Sequence, residues 1–155
     1  MNRALIYSLG LCALGAGLEG VLAGRGIKQR FAELRFPRYS PPLWGWVVIG
    51  VAYYVICFAV LYRLFGLPPT AFRNGAIALV VTVLLVNAIW NYFFFRKRNL
   101  WLAFVLGLPY SAVALTLFFF LVRLDRTAAS WWLPYVVYLF YAGTFSYRVW
   151  KLNRA

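Results

Sequence analysis

The stretch Pro37-Arg38-Tyr39-Ser40-Pro41-Pro42-Leu43-Trp44 separates the first long apolar run of the chain from the second. Its three prolines fix φ and withhold backbone donors, so it is neither helix interior nor central strand. Pro42 still suits the start of a helix, because its missing N–H falls among donors that are unpaired there anyway. The reading is a rigid aromatic elbow that launches a helix over Leu43–Phe65. Such an elbow is either a tight connection between helices or the lid of a pocket.

On both sides of the elbow the chain is strongly apolar. Of its 155 residues 65% are hydrophobic, well above the ~45–50% of soluble domains. The excess falls in runs long enough to cross a bilayer core of ~30 Å, which takes ~20 mostly apolar residues. Five such runs stand out: Ala4–Ala23, Leu43–Phe65, Asn74–Phe95, Leu100–Val122 and Ser130–Trp150. The expected fold is all-α, an integral membrane bundle of five transmembrane helices, with residues 1–155 as a single membrane domain. The first run also has the look of a signal peptide, but it stays apolar to Ala23 without a clean small-x-small cleavage site, so it is read as a span.

The formal charge of +13 comes from 16 cations set against three carboxylates. The cations lie at helix ends. Arg3, Arg63, Arg73, Arg123 and Arg126 fall on one side of the membrane. Arg25, Lys28, Arg30, Arg35, Arg38, Arg96, Lys97, Arg98, Arg148, Lys151 and Arg154 fall on the other. The positive-inside rule then puts the N-terminus outside and the C-terminus in the cytoplasm. Anionic lipid headgroups are expected partners of some of these cations. Nucleic acid is not, since no soluble basic face is left to bind it.

With no histidine, no Ser-His-Asp or Cys-His arrangement forms, and the only methionine is the first residue, so haem has no axial ligand of these types. Glu19, Glu33 and Asp125 lie at different levels and make no metal cage. Cys12 and Cys57 fall in mid-run and read as small buried residues. No catalytic or metal-binding set is assigned, and no cofactor is required. Glu19 stands late in the first run: a membrane carboxylate is a functional candidate, and one near Arg25 also reaches toward headgroups. Gly10, Ala13, Gly17, Gly20 and Gly24 form a small-residue stripe suited to close helix packing. In the fourth run Ala103, Gly107 and Ser111 repeat that pattern, for packing within the chain or for a dimer seam, and Pro109 predicts a local kink. Asn87, Trp90 and Phe94 share a helical face, and a membrane amide needs a partner, so this face turns inward. The fifth run opens on Trp131 and Trp132 with Pro134 in its first turn, and carries Tyr135, Tyr138, Ala142 and Phe145 on one stripe. A largely aromatic interior with a cationic rim suits a flat apolar ligand with acidic groups. Aromatic residues are also ordinary anchors at membrane interfaces.

At three places the sequence resembles the translocator protein family, also called tryptophan-rich sensory or peripheral-type benzodiazepine receptor proteins. The first-loop pattern of that family is matched by Leu34, Pro37, Pro41, Pro42 and Trp44, while Arg30, Phe31, Phe36 and Tyr39 replace its Trp, Tyr, Lys and Trp. Asn87, Trp90, Phe94 and Phe95 match its third helix. Pro134, Tyr135, Ala142, Tyr147, Trp150, Leu152 and Asn153 match its fifth, with Tyr138 in place of a tryptophan. The resemblance implies a five-helix bundle, often a homodimer, that binds porphyrins such as protoporphyrin IX and, in some members, sterol-like molecules and isoquinoline drugs. It implies a pocket lined by Phe31, Pro42, Trp44, Gly50, Tyr54, Asn87, Trp90, Tyr138 and Ala142. Gly50 stands where the family has a pocket tryptophan, and Val48 where it has proline. The implied role is a sensor or carrier in a bacterial inner membrane, with a mitochondrial outer membrane as the other location. An enzyme that promotes light-dependent porphyrin breakdown and a structural subunit are the alternative functions.

Overall fold

A computed structural model describes residues 3–154; the domain reading of 1–155 extends to Met1, Asn2 and Ala155, which lie outside the described residues. The chain is all-helical: α1 (Arg3–Ala23), α2 (Ile27–Glu33), α3 (Leu43–Gly66), α4 (Ala71–Asn91), α5 (Leu100–Leu124) and α6 (Arg126–Asn153), with a π-helical turn at Tyr92–Arg96 after α4. Four segments are long and apolar enough to cross a membrane, namely α1, α3, α5 and α4 together with its π turn. The last helix has 28 residues, ~42 Å at 1.5 Å per residue. Its many tyrosines and tryptophans keep its hydropathy below that of the other four.

Packing arranges the long helices in a ring. Helix α1 lies between α3 and α4, α4 meets α5, α5 meets α6, and α6 closes against α3. The core at one end of the ring holds Val60, Leu61, Leu64, Val80, Val83, Leu117, Leu121 and Trp132, all fully buried. Trp132 donates its indole N–H to the Ala114 carbonyl at 3.0 Å, so the largest buried ring leaves no orphaned donor. At the other end a smaller core, built on Leu34, Phe94, Ala103, Phe145 and Val149, joins the first loop to the bundle.

The elbow launches α3 as the prolines require. Ser40 closes a turn by donating its N–H to the Pro37 carbonyl, and Pro42 at φ −64° and ψ 166° precedes the first helical residue. Gly45 lies under this bend, where a Cβ would come within 3.0 Å of Pro41. The segment before the elbow forms α2 and folds over the mouth of the ring. Asn153 at the end of α6 clamps it there, accepting from the Arg35 N–H and donating to the Arg35 carbonyl, each at 2.9 Å. Arg98 reaches Glu33 at 3.1 Å, and Tyr141 donates to the Tyr39 carbonyl. The first loop, the segment after α4 and the end of α6 thus share one end of the ring. At the opposite end Arg63 of α3 meets Asp125, between α5 and α6, at 2.6 Å. This is the division of cations read from the sequence.

Four local expectations are corrected. Helix α6 begins at Arg126, not Ser130, because Asp125 caps it by accepting from the N–H groups of Thr127 and Ala128. Pro134 therefore lies inside α6 and not in its first turn. The stripe of Gly10, Ala13, Gly17 and Gly20 faces outward, and a Cβ at Gly10, Gly17 or Gly20 would touch nothing; the inward face of α1 is Ala4, Ser8, Cys12 and Gly15, with Gly15 against Leu84. Finally, the third run does not end as an α-helix. Lys97 donates to the Tyr92 carbonyl and Asn99 to that of Phe93, which widens the last turn.

Candidate functional site

Beneath α2 the ring holds a half-open cavity of about 290 Å³. That is near the lower bound of ~300–1,000 Å³ for small-molecule pockets. Each wall follows from helical spacing. Helix α3 contributes Leu43, Trp46, Gly50 and Tyr53, and α4 contributes Asn87, Trp90 and Asn91. The π turn adds Phe94 and Phe95, and α6 adds Tyr135, Tyr138 and Phe145. Glu19 enters from α1, while Ile27 and Phe31 of α2 and Phe36, just before the elbow, form the roof.

The roof is held by ring contacts. Phe31 stacks on Phe36 at 4.4 Å between centroids, Phe36 lies 6.0 Å from Phe145, and Phe145 lies 4.7 Å from Trp46. Offset and tilted pairs of this kind each contribute about 0.5–1.5 kcal/mol beyond area burial. On the opposite wall Trp90 stacks on Phe94 at 4.7 Å. Beside Gly50 the wall is open: an added Cβ would meet nothing within 4 Å.

Polar groups on the wall are few, and they converge. Glu19 Oε2 accepts from the Tyr54 hydroxyl at 2.6 Å and from Asn87 Nδ2 at 2.7 Å, which ties α1 to α3 and α4. Glu19 therefore turns into the bundle and not toward the headgroups. Asn91 donates to the Asn87 carbonyl one turn back. Deeper in, the hydroxyls of Tyr110 and Tyr135 share a hydrogen bond inside the core.

A second cavity of about 120 Å³ lies between α5 and α6, lined by Gly107, Ser111, Ala142 and Ser146. It shares Asn87, Trp90, Tyr135 and Tyr138 with the first, so these four side chains are a partition between the two spaces. The small residues of α5 thus face the interior of this chain, with Ala103 buried.

Of the nine residues predicted to line a pocket, Phe31, Gly50, Asn87, Trp90 and Tyr138 meet at the larger cavity, and Ala142 opens onto the smaller one. Tyr54 stands behind the wall and reaches it through Glu19. Pro42 and Trp44 lie outside both linings, and Trp44 is 71% exposed on the outer face of α3. The inward indole is Trp46, two residues on and so nearly opposite on the helix. Sequence reasoning did not place Trp46, Phe36, Phe145 or Glu19 in the pocket. For Trp46 the signal was present, in its i, i+4 spacing to Gly50. For Glu19 no local signal exists, because its partners are 35 and 68 residues away.

The sequence model of the TspO/MBR family matches residues 8–151. No curated protein matches the chain. A match over nearly the whole chain, together with four spanning-length apolar helices, makes this an integral membrane protein with the general ligand-binding or sensor role that this membership supports. The chain belongs to the TspO/MBR family.

Proposed function

We propose that the protein is a membrane-embedded sensor or carrier that binds a porphyrin, or a similarly flat apolar molecule with acidic groups, in the cavity beneath α2. The observation that carries this reading is the roofed aromatic cavity, with indole and phenyl faces from α3, α4 and α6 and few polar groups. The cavity is small for a tetrapyrrole. Trp90 and Tyr138 line both cavities, so rotation of these two rings would join it to the second space. Acidic arms that reach past the cavity lining would meet Arg30, next in sequence to Phe31 on α2, whose buried Nε lacks a hydrogen-bond partner. Titrating the full chain in non-ionic detergent with protoporphyrin IX tests the proposal. It expects saturable tryptophan quenching and a shifted porphyrin absorption band; quenching that rises without saturation would overturn it.

The same proposal takes α6 as a fifth span, because it closes the ring between α3 and α5 and has spanning length. It places the cation-rich end with α2 in the cytoplasm of a bacterial inner membrane, and includes anionic lipids at the notch of Arg25, Arg96 and Arg98 and a homodimer. A second reading, light-dependent breakdown of the bound porphyrin, is favoured by the oxidisable rings of Trp90 and Tyr138 on the wall. Bleaching of the bound porphyrin into new absorbing products under illumination would select it.

A further inference from the structure

Glu19 is unusual among the cavity groups because it brings a potential charge into an otherwise aromatic space. Two neutral donors from two other helices converge on one of its oxygens, Oε2. Oε1 accepts no hydrogen bond among the described residues. The ion pairs present among those residues are Arg30 and Arg98 with Glu33, and Arg63 with Asp125, so Glu19 has no cationic partner. Arg25, the nearest cation in sequence, follows the left-handed turn at Gly24 (φ 78°) and opens onto the outer notch with Arg96 and Arg98. A carboxylate inside a membrane bundle is costly without a counter-charge. Here it is oriented, half-solvated by fixed donors, and faces a space walled by Trp46, Trp90 and Tyr138. Indole and phenol faces attract cations, most strongly where water is excluded.

We infer that the cavity is also a binding site for apolar organic cations: a protonated amine on an aromatic or aliphatic body, its N–H on Glu19 Oε1 and its charge against the indole faces. The ammonium donates the hydrogen bond that Oε1 lacks and supplies the missing counter-charge, while its apolar body fills the rest of the wall. The inference stands whether or not a porphyrin binds.

The test uses the full chain in non-ionic detergent and two probes of one shape, 1-naphthylmethylamine, protonated at pH 7, and neutral 1-naphthylmethanol. Binding is read from energy transfer between the protein tryptophans and naphthalene. Wild type is expected to bind the amine at least tenfold more tightly than the alcohol. Glu19→Gln should remove that preference by weakening the amine far more than the alcohol, while Tyr54→Phe, which keeps the carboxylate, should retain it. Equal binding of the two probes to wild type overturns the inference, and that arm needs no variant to fold. Equal weakening of both probes in Glu19→Gln also overturns it, since the carboxylate would then only hold α1 to α3 and α4.

Discussion

Gly50 shows how a single missing side chain shapes the site. The family resemblance puts a tryptophan at its position. Here the position is open: no atom lies within 4 Å of where a Cβ would stand, and Trp46 one turn earlier supplies an indole from a different backbone point. Gly50→Trp should tighten a small planar aromatic ligand such as an isoquinoline by about 1 kcal/mol, the scale of one aromatic contact, and leave protoporphyrin IX equal or weaker. Titration of both ligands by fluorescence quenching checks this, and no gain for either would mean that the wall at Gly50 is not used. The neighbouring residues mark the limit of reading by residue type. Asn87, Trp90 and Tyr138 were legible from spacing and resemblance, and they stand on the wall. Trp44 was not, because a motif match fixes position along a helix without fixing which face turns inward. Glu19 was noticed for its rarity, but its two partners come from other helices, and only the fold brings them together.

Among the elements, α2 and its elbow depend most on a few contacts. The clamp between Asn153 and the Arg35 backbone is two hydrogen bonds long, each worth about 1 kcal/mol net. Asn153→Ala should loosen α2 while the ring persists. The expected outcome is faster proteolysis between Lys28 and Arg38 and faster ligand release, with helical circular dichroism unchanged. Unaltered proteolysis would show that the Phe31–Phe36–Phe145 stack holds the roof by itself. Asp125 governs the opposite end, where it caps α6 and pairs with Arg63. Partial burial pushes its carboxyl upward, but hydrogen bonds from Arg63 and from the N–H groups of Ala128 and Thr127 outweigh this and hold it below the usual range. A carboxylate lowered in the folded state adds stability above its unfolded pKa of ~3.9 and loses it as pH falls through the folded value. Asp125→Asn should therefore cost about 1 kcal/mol or less at pH 7 and flatten the fall in thermal midpoint below about pH 4. An unchanged acid limb would contradict this. Four of the five runs correspond to helices long and apolar enough to span, and the fifth lies within α6, which is long but less apolar. The start of α6 was hidden because Arg126 and Thr127 look like loop, and the π turn because hydropathy is blind to a widened turn. The inward face of α1 was ambiguous, since small residues occupy two of its faces and only packing on Leu84 selects Gly15.

For the whole molecule, charge and cavity go together. Five cations lie at the end that carries Asp125 and eleven at the end that carries α2 and the cavity roof. In intact cells a membrane-impermeant maleimide should therefore label Thr127→Cys and spare Lys28→Cys until the membrane is opened; the reverse pattern would invert the topology. Native Cys12 and Cys57 are buried and give a low background. The central claim is that the ligand occupies the space beneath α2, and Gly50→Cys tests it most directly, because it puts a thiol on the cavity wall where nothing crowds it. The measurement is the rate of maleimide labelling of that variant in detergent, with and without saturating protoporphyrin IX. The account predicts labelling slowed at least tenfold by the porphyrin, and loss of porphyrin binding once the thiol carries a bulky label. Labelling at the same rate with the porphyrin bound would place the ligand elsewhere and contradict it.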